Sequence, residues 1–276
     1  MADGPVFSCF SVASIAGVYE DIYVPRIFVP WARLLIEQAS LRTGESVLDV
    51  ATGPGTVARL AAEEVGPKGR VVATDISPAM VDIARRKPRV AGGAEIHYVV
   101  SPAAPLTAPG SAFDVVTCQQ GLQFFPDRGA AIREMFRALR PGGRLVVAVW
   151  REIALQPIFD AINTALHECL PAEKVAPYAA PFRWSSGQEL ASALRGQGFR
   201  DVRLEEHRLS VVYEGGVQQA MATLAASPVA AVIADMTEDD RKRLWDAGAH
   251  RLKPHLKGGQ LHAQMVSNIA TAAKGS

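Results

Sequence analysis

Between Val47 and Trp150 the hydrophobic positions fall into short unbroken runs, each separated from the next by a stretch of helical spacing. The runs are "VLDV" (47–50), "RVVATD" (70–75), "EIHYVV" (95–100), "FDVVTCQ" (113–119) and "RLVVAVW" (144–150). Each reads as a strand, and "RVVATD", apolar almost throughout, has the appearance of one buried on both faces of a sheet. Between them, Ser77-Pro78 reads as a capping residue with proline at the first helical position. The helix it starts places Met80, Val81, Ile83 and Ala84 on one side and stops before Pro88. Asp127 is placed to cap a second helix, whose Ile132, Met135, Phe136 and Leu139 form one stripe that "RPGG" (140–143) ends. Repeated strand–helix–strand units predict an α/β fold: a doubly wound, mainly parallel, seven-stranded Rossmann-like sheet with helices on both faces.

Beyond Trp150 the pattern is looser. Helices are predicted over 155–168 and 186–196 and a strand over 201–213. A helical stretch over 215–255 carries Thr237 and Asp240 spaced as a capping box. Residues 261–272 read as a last, antiparallel strand. The chain ahead of the first strand holds helical segments with Tyr19, Tyr23, Phe28 and Trp31. With no internal repeat and no low-complexity linker, one domain is expected. It comprises an N-terminal helical lid (1–44), a Rossmann-like core (45–214), a helical cap insertion (215–260) and the last strand with its tail (261–276).

Composition narrows the function. The chain has 276 residues, of which 49% are hydrophobic and 21% charged, with a net charge of +1. A large core is available, and nothing in the charge favours nucleic acid or an anionic membrane surface. The densest basic run, Arg85-Arg86-Lys87, suits the last turn of a helix. No signal peptide is visible and no apolar run approaches the ~20 residues of a membrane helix. A cytoplasmic protein acting on a small molecule, without membrane insertion, is therefore expected. The oligomeric state stays open, a homodimer included. Cys9, Cys118 and Cys169 are too widely spaced for a disulfide framework or a zinc site, and the six histidines form no cluster with ligand spacing. No metal is expected, and no histidine stands out as a catalytic base.

The chemistry concentrates where strand 47–50 meets a glycine turn, in "VLDVATGPGTVARLA" (47–61). Gly53-x-Gly55-x-x-Ala58 satisfies a dinucleotide fingerprint. Yet Asp49 brings negative charge to the turn, and Pro54 has no amide hydrogen to give a phosphate. A ligand that is cationic at one end and carries a nucleoside without phosphate has the opposite needs, which S-adenosylmethionine meets. Asp75, 26 residues after Asp49, is placed to accept hydrogen bonds from both ribose hydroxyls.

"VLDVATGPGTVA", "VVATDIS", "FDVVTCQQGLQFFPD" and "ALRPGGRLVVAVW" together resemble the class I S-adenosylmethionine-dependent methyltransferases, in the branch similar to the ubiquinone- and menaquinone-biosynthesis enzymes. The four motifs follow one another in the family's order over residues 45–150. "YEDIYVPRIFVPWARLL" resembles the family's lid, and "GQGFRDVRL" matches loosely in the last third. The resemblance implies that Asp49 orients the methionine ammonium, flanked by the backbone at Ala51, Gly53 and Gly55. It implies further that Asp75 holds the ribose and that Ile76 and Met80 lie against the adenine. Ser101, Pro102 and Ala103 would approach the adenine edge, Gln119 would face the methionine part, and Tyr19 or Tyr23 would close over the carboxylate. One departure stands out: Ser101 and Pro102 occupy the position where the family often has an acid bonded to the adenine amino group. Backbone carbonyls or the Ser101 hydroxyl are the available substitutes.

The expected activity is methyl transfer to carbon or oxygen of a small, fairly apolar molecule, similar to a quinone precursor or a secondary metabolite. An activated methyl donor needs mainly proximity and orientation, so the missing base does not argue against it. A protein that binds S-adenosylmethionine without transferring its methyl is the alternative from another class. A nicotinamide-dependent oxidoreductase is disfavoured by Asp49, by Pro54 and by the lack of a Tyr-x-x-x-Lys pair.

Overall fold

The structure, a computed structural model, describes residues 13–275, and residues 13–15 in their backbone only. Cys9 and the first twelve residues of the predicted lid lie outside the described residues. The chain opens with α1 (Ala13–Val18), a π-helix (Tyr19–Phe28) and α2 (Val29–Ala39). Then come β1 (Ser46–Val50), α3 (Thr56–Val65), β2 (Arg70–Asp75), α4 (Pro78–Arg86), β3 (Glu95–Val100), β4 (Phe113–Gln119), α5 (Arg128–Ala138) and β5 (Leu139–Trp150). The remainder holds α6 (Pro157–Cys169), α7 (Ala172–Val175), α8 (Gly187–Gly196), β6 (Arg200–Tyr213), α9 (Gly216–Ala222), α10 (Ala230–Ala234), α11 (Glu238–Leu252), β7 (Leu256–Lys257) and β8 (Gln260–Ala273).

The sheet order is β3-β2-β1-β4-β5-β8-β6. Strands β1 to β5 pair in parallel, and β8 runs antiparallel between β5 and β6. The seven predicted strands are all present, and the fold is the doubly wound α/β sheet expected of them. The two-residue β7 is an eighth strand, a hairpin partner of β8 across Gly258 and Gly259, both at positive φ (55° and 84°). Such a turn favours two glycines because each central residue is left-handed.

Alternation along each strand divides the core. Val47, Val71, Val115 and Val146 pack on one face with α2, α3, α6 and the C-terminal cap. Leu48, Val72, Val116 and Leu145 pack on the other, with α5 and α8. Side chains of successive strand residues point to opposite faces, so both must be apolar when helices cover both.

Three helix starts carry side-chain caps that the sequence signals. Ser77 Oγ accepts from the Met80 amide (3.3 Å), Asp127 Oδ1 from the Ala130 amide (2.8 Å) and Thr237 Oγ1 from the Asp240 amide (3.2 Å). One boundary is corrected. "RPGG" does not separate helix from strand, because β5 begins at Leu139, opposite Phe113, and resumes after an irregularity with Arg144 opposite Val115. The Gly142 amide donates to the Lys274 carbonyl (2.9 Å) and the Lys274 amide to the Gly143 carbonyl (2.8 Å). Those bonds extend the strand through the glycines.

Ahead of the sheet, the π-helix closes its last turn with the Val29 amide on the Val24 carbonyl, five residues back. Pro25 inside it offers no amide hydrogen, and the wider turn of a π-helix is a feature often found at functional sites. Its buried residues Tyr23, Val24 and Ile27 face the carboxyl ends of the strands and the cap. Among the described residues no helix is long and apolar enough to cross a membrane.

Candidate active site

Strand order reverses between β1 and β4, and ligands of doubly wound sheets sit beyond the carboxyl ends of the strands at such a point. A cavity of about 380 Å³ lies there, within the ~300–1,000 Å³ range of small-molecule sites. Of the residues singled out in the sequence, Tyr19, Tyr23, Ala51, Gly53, Asp75, Ile76, Met80, Ser101, Pro102, Ala103 and Gln119 line it. Asp49 and Gly55 do not; both lie behind the lining.

The glycine turn has a definite hydrogen-bond economy. The Thr52 amide donates to the Thr74 carbonyl (2.9 Å), the Gly55 amide to the Thr52 carbonyl (3.0 Å) and the Gly53 amide to Asp75 Oδ2 (2.8 Å). Pro54 has none to give. The donors that a pyrophosphate site needs are therefore spent within the protein. Gly53 sits at φ +54°, and a Cβ there would meet no protein atom within 4 Å, so the turn presents bare backbone to the cavity. Gly55 is required for a different reason. At φ +84° a Cβ would lie 2.8 Å from the Tyr98 hydroxyl and 3.1 Å from Ala84 Cβ. Its role is to let the turn pack on α4 and β3.

Asp49 is 1% exposed, between β2 and β4. The Thr117 hydroxyl donates to its Oδ1 at 2.7 Å, while Oδ2 has no hydrogen-bond partner among the described residues. Burial pushes this carboxyl up to about 6, although the Thr52 and Thr117 hydroxyls and the Ala58 amide favour its charged form. A buried carboxylate oxygen without a partner is costly, and a cationic group brought into the turn would relieve it.

Asp75 ends β2 with both oxygens oriented. Oδ1 accepts from the Ser77 amide (2.8 Å) and Oδ2 from the Gly53 amide. The Ile76 amide also favours the charged carboxylate, and of the carboxylate's about four acceptor sites at least one remains for a ribose hydroxyl. Burial raises its pKa in spite of those amides. Beside it, Ile76 is 48% exposed and Met80 buried, which offers an apolar face to a flat base.

The Ser101 hydroxyl does not stand ready for a ligand. It bonds the Thr107 hydroxyl (2.8 Å) and the Pro102 carbonyl (3.0 Å), and accepts from the Thr107 amide (3.1 Å), which closes the loop after β3. Of the two substitutes for the missing acid, backbone groups are the ones left free. Gln119 donates from Nε2 to the Phe28 carbonyl (3.1 Å), tying the end of β4 to the π-helix.

The opposite half of the cavity is aromatic. Tyr19 stacks on Phe28 (4.9 Å between ring centres), and Tyr23 stacks on Phe159 (6.2 Å). Phe159 in turn contacts Tyr178 (6.3 Å) and Phe182 (5.3 Å), and Phe28 meets the edge of Trp150 (6.4 Å). The Tyr23 hydroxyl donates to the Thr223 carbonyl (3.2 Å), which joins the π-helix to the turn after α9. Burial, and then the charge of Asp75, holds the Tyr19 phenol well above its ordinary pKa.

Sequence reasoning missed Gln120, Trp150, Phe159, Tyr178, Phe182 and Met265 among the lining residues. Gln120 follows β4 and reads from the sequence as loop solvation beside Gln119, while Trp150 ends β5 and was open to the same rule that found Gln119. The others come from helices and the last strand, and no local motif marks them. Among the described residues no histidine, lysine or glutamate lines the cavity. Among the described residues no cluster of His, Cys, Asp or Glu could hold a metal ion.

Comparison with known proteins agrees with this geometry. The profile of the ubiE/COQ5 methyltransferase family matches residues 5–212. The ubiquinone/menaquinone biosynthesis C-methyltransferase UbiE of Cronobacter sakazakii is 34% identical over 177 residues, covering 63% of this chain and 70% of that enzyme. UbiE of Serratia proteamaculans is 36% identical over 162 residues, 58% of this chain and 64% of that enzyme. Among solved structures, phosphoethanolamine N-methyltransferase 2 of Haemonchus contortus, in complex with S-adenosyl-L-methionine, superposes with a TM-score of 0.60 at 16% identity. It covers 96% of this chain and 58% of its own, a likeness of fold.

Proposed function

The chain belongs to the ubiE/COQ5 methyltransferase family, an S-adenosylmethionine-dependent enzyme family, and we propose that it methylates carbon or oxygen of a small, flat, apolar acceptor held in the aromatic half of the cavity. The observation that carries this reading is the division of one cavity into a polar cradle, around Asp75 and Gly53, and an aromatic chamber, around Phe159 and Trp150. S-adenosylmethionine supplies an electrophilic methyl on a sulfonium.

Asp49 favours the ammonium end through its unpaired Oδ2, and Asp75 takes the ribose hydroxyls on the acceptor capacity its amide partners leave. Ile76 and Met80 cover one face of the base. The rings of Phe28, Trp150 and Phe159 position the acceptor and exclude water, which contributes proximity and a low-dielectric surrounding. The lining tyrosines Tyr19 and Tyr178 are held protonated by burial, so neither is a base near neutral pH. The acceptor therefore brings its own nucleophile, as an electron-rich ring carbon or an acidic hydroxyl does. The near-neutral charge and the enclosed site favour a cytoplasmic small-molecule enzyme with no nucleic-acid partner.

The test is methyl transfer from isotopically labelled S-adenosylmethionine to a panel of hydroquinones and phenols beside polar amines such as ethanolamine. Label should enter the aromatic acceptors alone. Transfer restricted to the polar amines would contradict the assignment of the aromatic chamber.

A further inference from the structure

Within the aromatic half, most polar side chains already make a hydrogen bond, although Gln120 Oε1 is a buried acceptor with no partner among the described residues. Gln119 Nε2 donates to the Phe28 carbonyl, Gln120 Nε2 to Ser267 Oγ (2.9 Å) and the Ser227 hydroxyl to the Leu224 carbonyl (2.8 Å). The Tyr23 hydroxyl donates to the Thr223 carbonyl. Tyr178 differs. It lies in the 3₁₀ turn Ala176–Phe182, is 2% exposed, lines the cavity, and has a hydroxyl with no hydrogen-bond partner among the described residues.

Buried hydroxyls in folded proteins are nearly always paired, with protein, water or ligand. An unpaired one at the wall of a binding chamber is the expected state of a group whose partner arrives with the ligand. We propose that the Tyr178 hydroxyl is a specificity-determining group that donates a hydrogen bond to an oxygen of the methyl acceptor. The chamber then selects flat molecules bearing a hydroxyl or carbonyl oxygen over hydrocarbons of the same shape. The proposal rests on the reading that this half of the cavity holds the acceptor.

Burial first, and the neighbouring Tyr23 and Tyr213 next, raise the Tyr178 pKa well above its ordinary value. The group is thus a donor at every working pH. The surrounding wall of Phe159, Phe182 and Trp150 supplies shape but no hydrogen bond. A site built to bond a ligand oxygen discriminates strongly against an analogue that lacks it, because the buried donor then stays unpaired.

Tyr213 provides an internal control. Its hydroxyl is also buried without a partner among the described residues, yet Tyr213 does not line the cavity. Calorimetry on protein saturated with S-adenosylhomocysteine, with 1-naphthol and naphthalene as probes, separates the possibilities. Wild type should prefer 1-naphthol. Tyr178→Phe should weaken 1-naphthol about tenfold, the worth of one hydrogen bond, while changing naphthalene and S-adenosylhomocysteine binding less than about twofold. Tyr213→Phe should keep the preference. Equal 1-naphthol affinity in wild type and Tyr178→Phe would overturn the assignment to Tyr178 and leave the aromatic chamber standing. Equal loss in Tyr213→Phe would overturn it in favour of a structural role. Binding of neither probe to wild type would overturn the chamber reading and this assignment with it.

Discussion

Asp49→Asn should stabilise the ligand-free protein against pH while weakening its hold on the cofactor. Burial lifts the Asp49 carboxyl from 3.8 to about 6. The folded-state pKa is thus above the unfolded one, and between those values the folded chain holds the extra proton. The stability Asp49 contributes is complete below about pH 4 and is lost as the pH rises through 6. A shift of about 2 units corresponds to about 3 kcal/mol at 1.36 kcal/mol per unit, an order-of-magnitude figure for so buried a group. Asparagine keeps an acceptor for the Thr117 hydroxyl, which now bonds Oδ1 at 2.7 Å, and removes the titration.

Chemical denaturation of both proteins at pH 4.5 and pH 7.5 reads the effect. The variant's stability relative to wild type should rise between the two pH values by about 2 kcal/mol, the rest of the ~3 kcal/mol falling below pH 4.5. Calorimetry with S-adenosylhomocysteine at pH 7.5 should show the opposite sign. Asp49 lies behind the cavity lining and acts on the ligand ammonium across the glycine turn or through a water, so losing its charge should cost about 1.4 kcal/mol, roughly tenfold in Kd. A relative stability that does not change with pH, together with unchanged affinity, would refute the reading of Asp49 as an ionisable carboxylate that acts on the ligand from behind the cavity lining.

Asp75→Ala should cost about 1–3 kcal/mol of cofactor affinity through the lost ribose bonds, and it also frees the Gly53 and Ser77 amides that Asp75 now holds. Its Kd by calorimetry, read beside the melting temperature, separates the two contributions. Methyl transfer should survive exhaustive chelation, since among the described residues no group could hold a metal; activity lost with chelator and restored by magnesium would contradict this. Hydrogen exchange should slow over residues 13–30 when S-adenosylhomocysteine binds, if the segment around Tyr19 and Tyr23 closes as a lid. Protection confined to the glycine turn would leave those aromatics as ordinary core.

The inner parallel strands were legible because they are buried on both faces and read as apolar runs, as in Val71, Val72 and Ala73, whereas β3, at the sheet edge, is half-exposed and mixes Glu95 and His97 into its run. The start of β5 was not, because Pro141-Gly142-Gly143 looks like a terminator locally. The bonds that make it strand come from Lys274, at the other end of the chain. The residues brought to the cavity by strand ends, such as Asp75 and Gln119, follow from a rule about where doubly wound sheets bind.

Phe159, Tyr178 and Phe182 obey no such rule. Their place depends on how the helices after β5 fold back over the sheet, which local periodicity does not encode. Ser101 marks a third kind of gap, since its hydroxyl faces the right region but is consumed by Thr107 in closing its own loop. Gly55 belongs to the motif for packing against Tyr98 rather than for touching a ligand.

A crystal structure with S-adenosylhomocysteine bound tests the central claim most directly, because the account fixes where each end of the ligand lies. Both ribose hydroxyls should lie within hydrogen-bond distance of Asp75, the base against Ile76 and Met80, and the amino group on the Asp49 side of the turn. The sulfur should then point toward the chamber of Phe28, Trp150 and Phe159. A ligand whose ribose leaves Asp75 unbonded, or whose sulfur faces away from that chamber, would contradict the account.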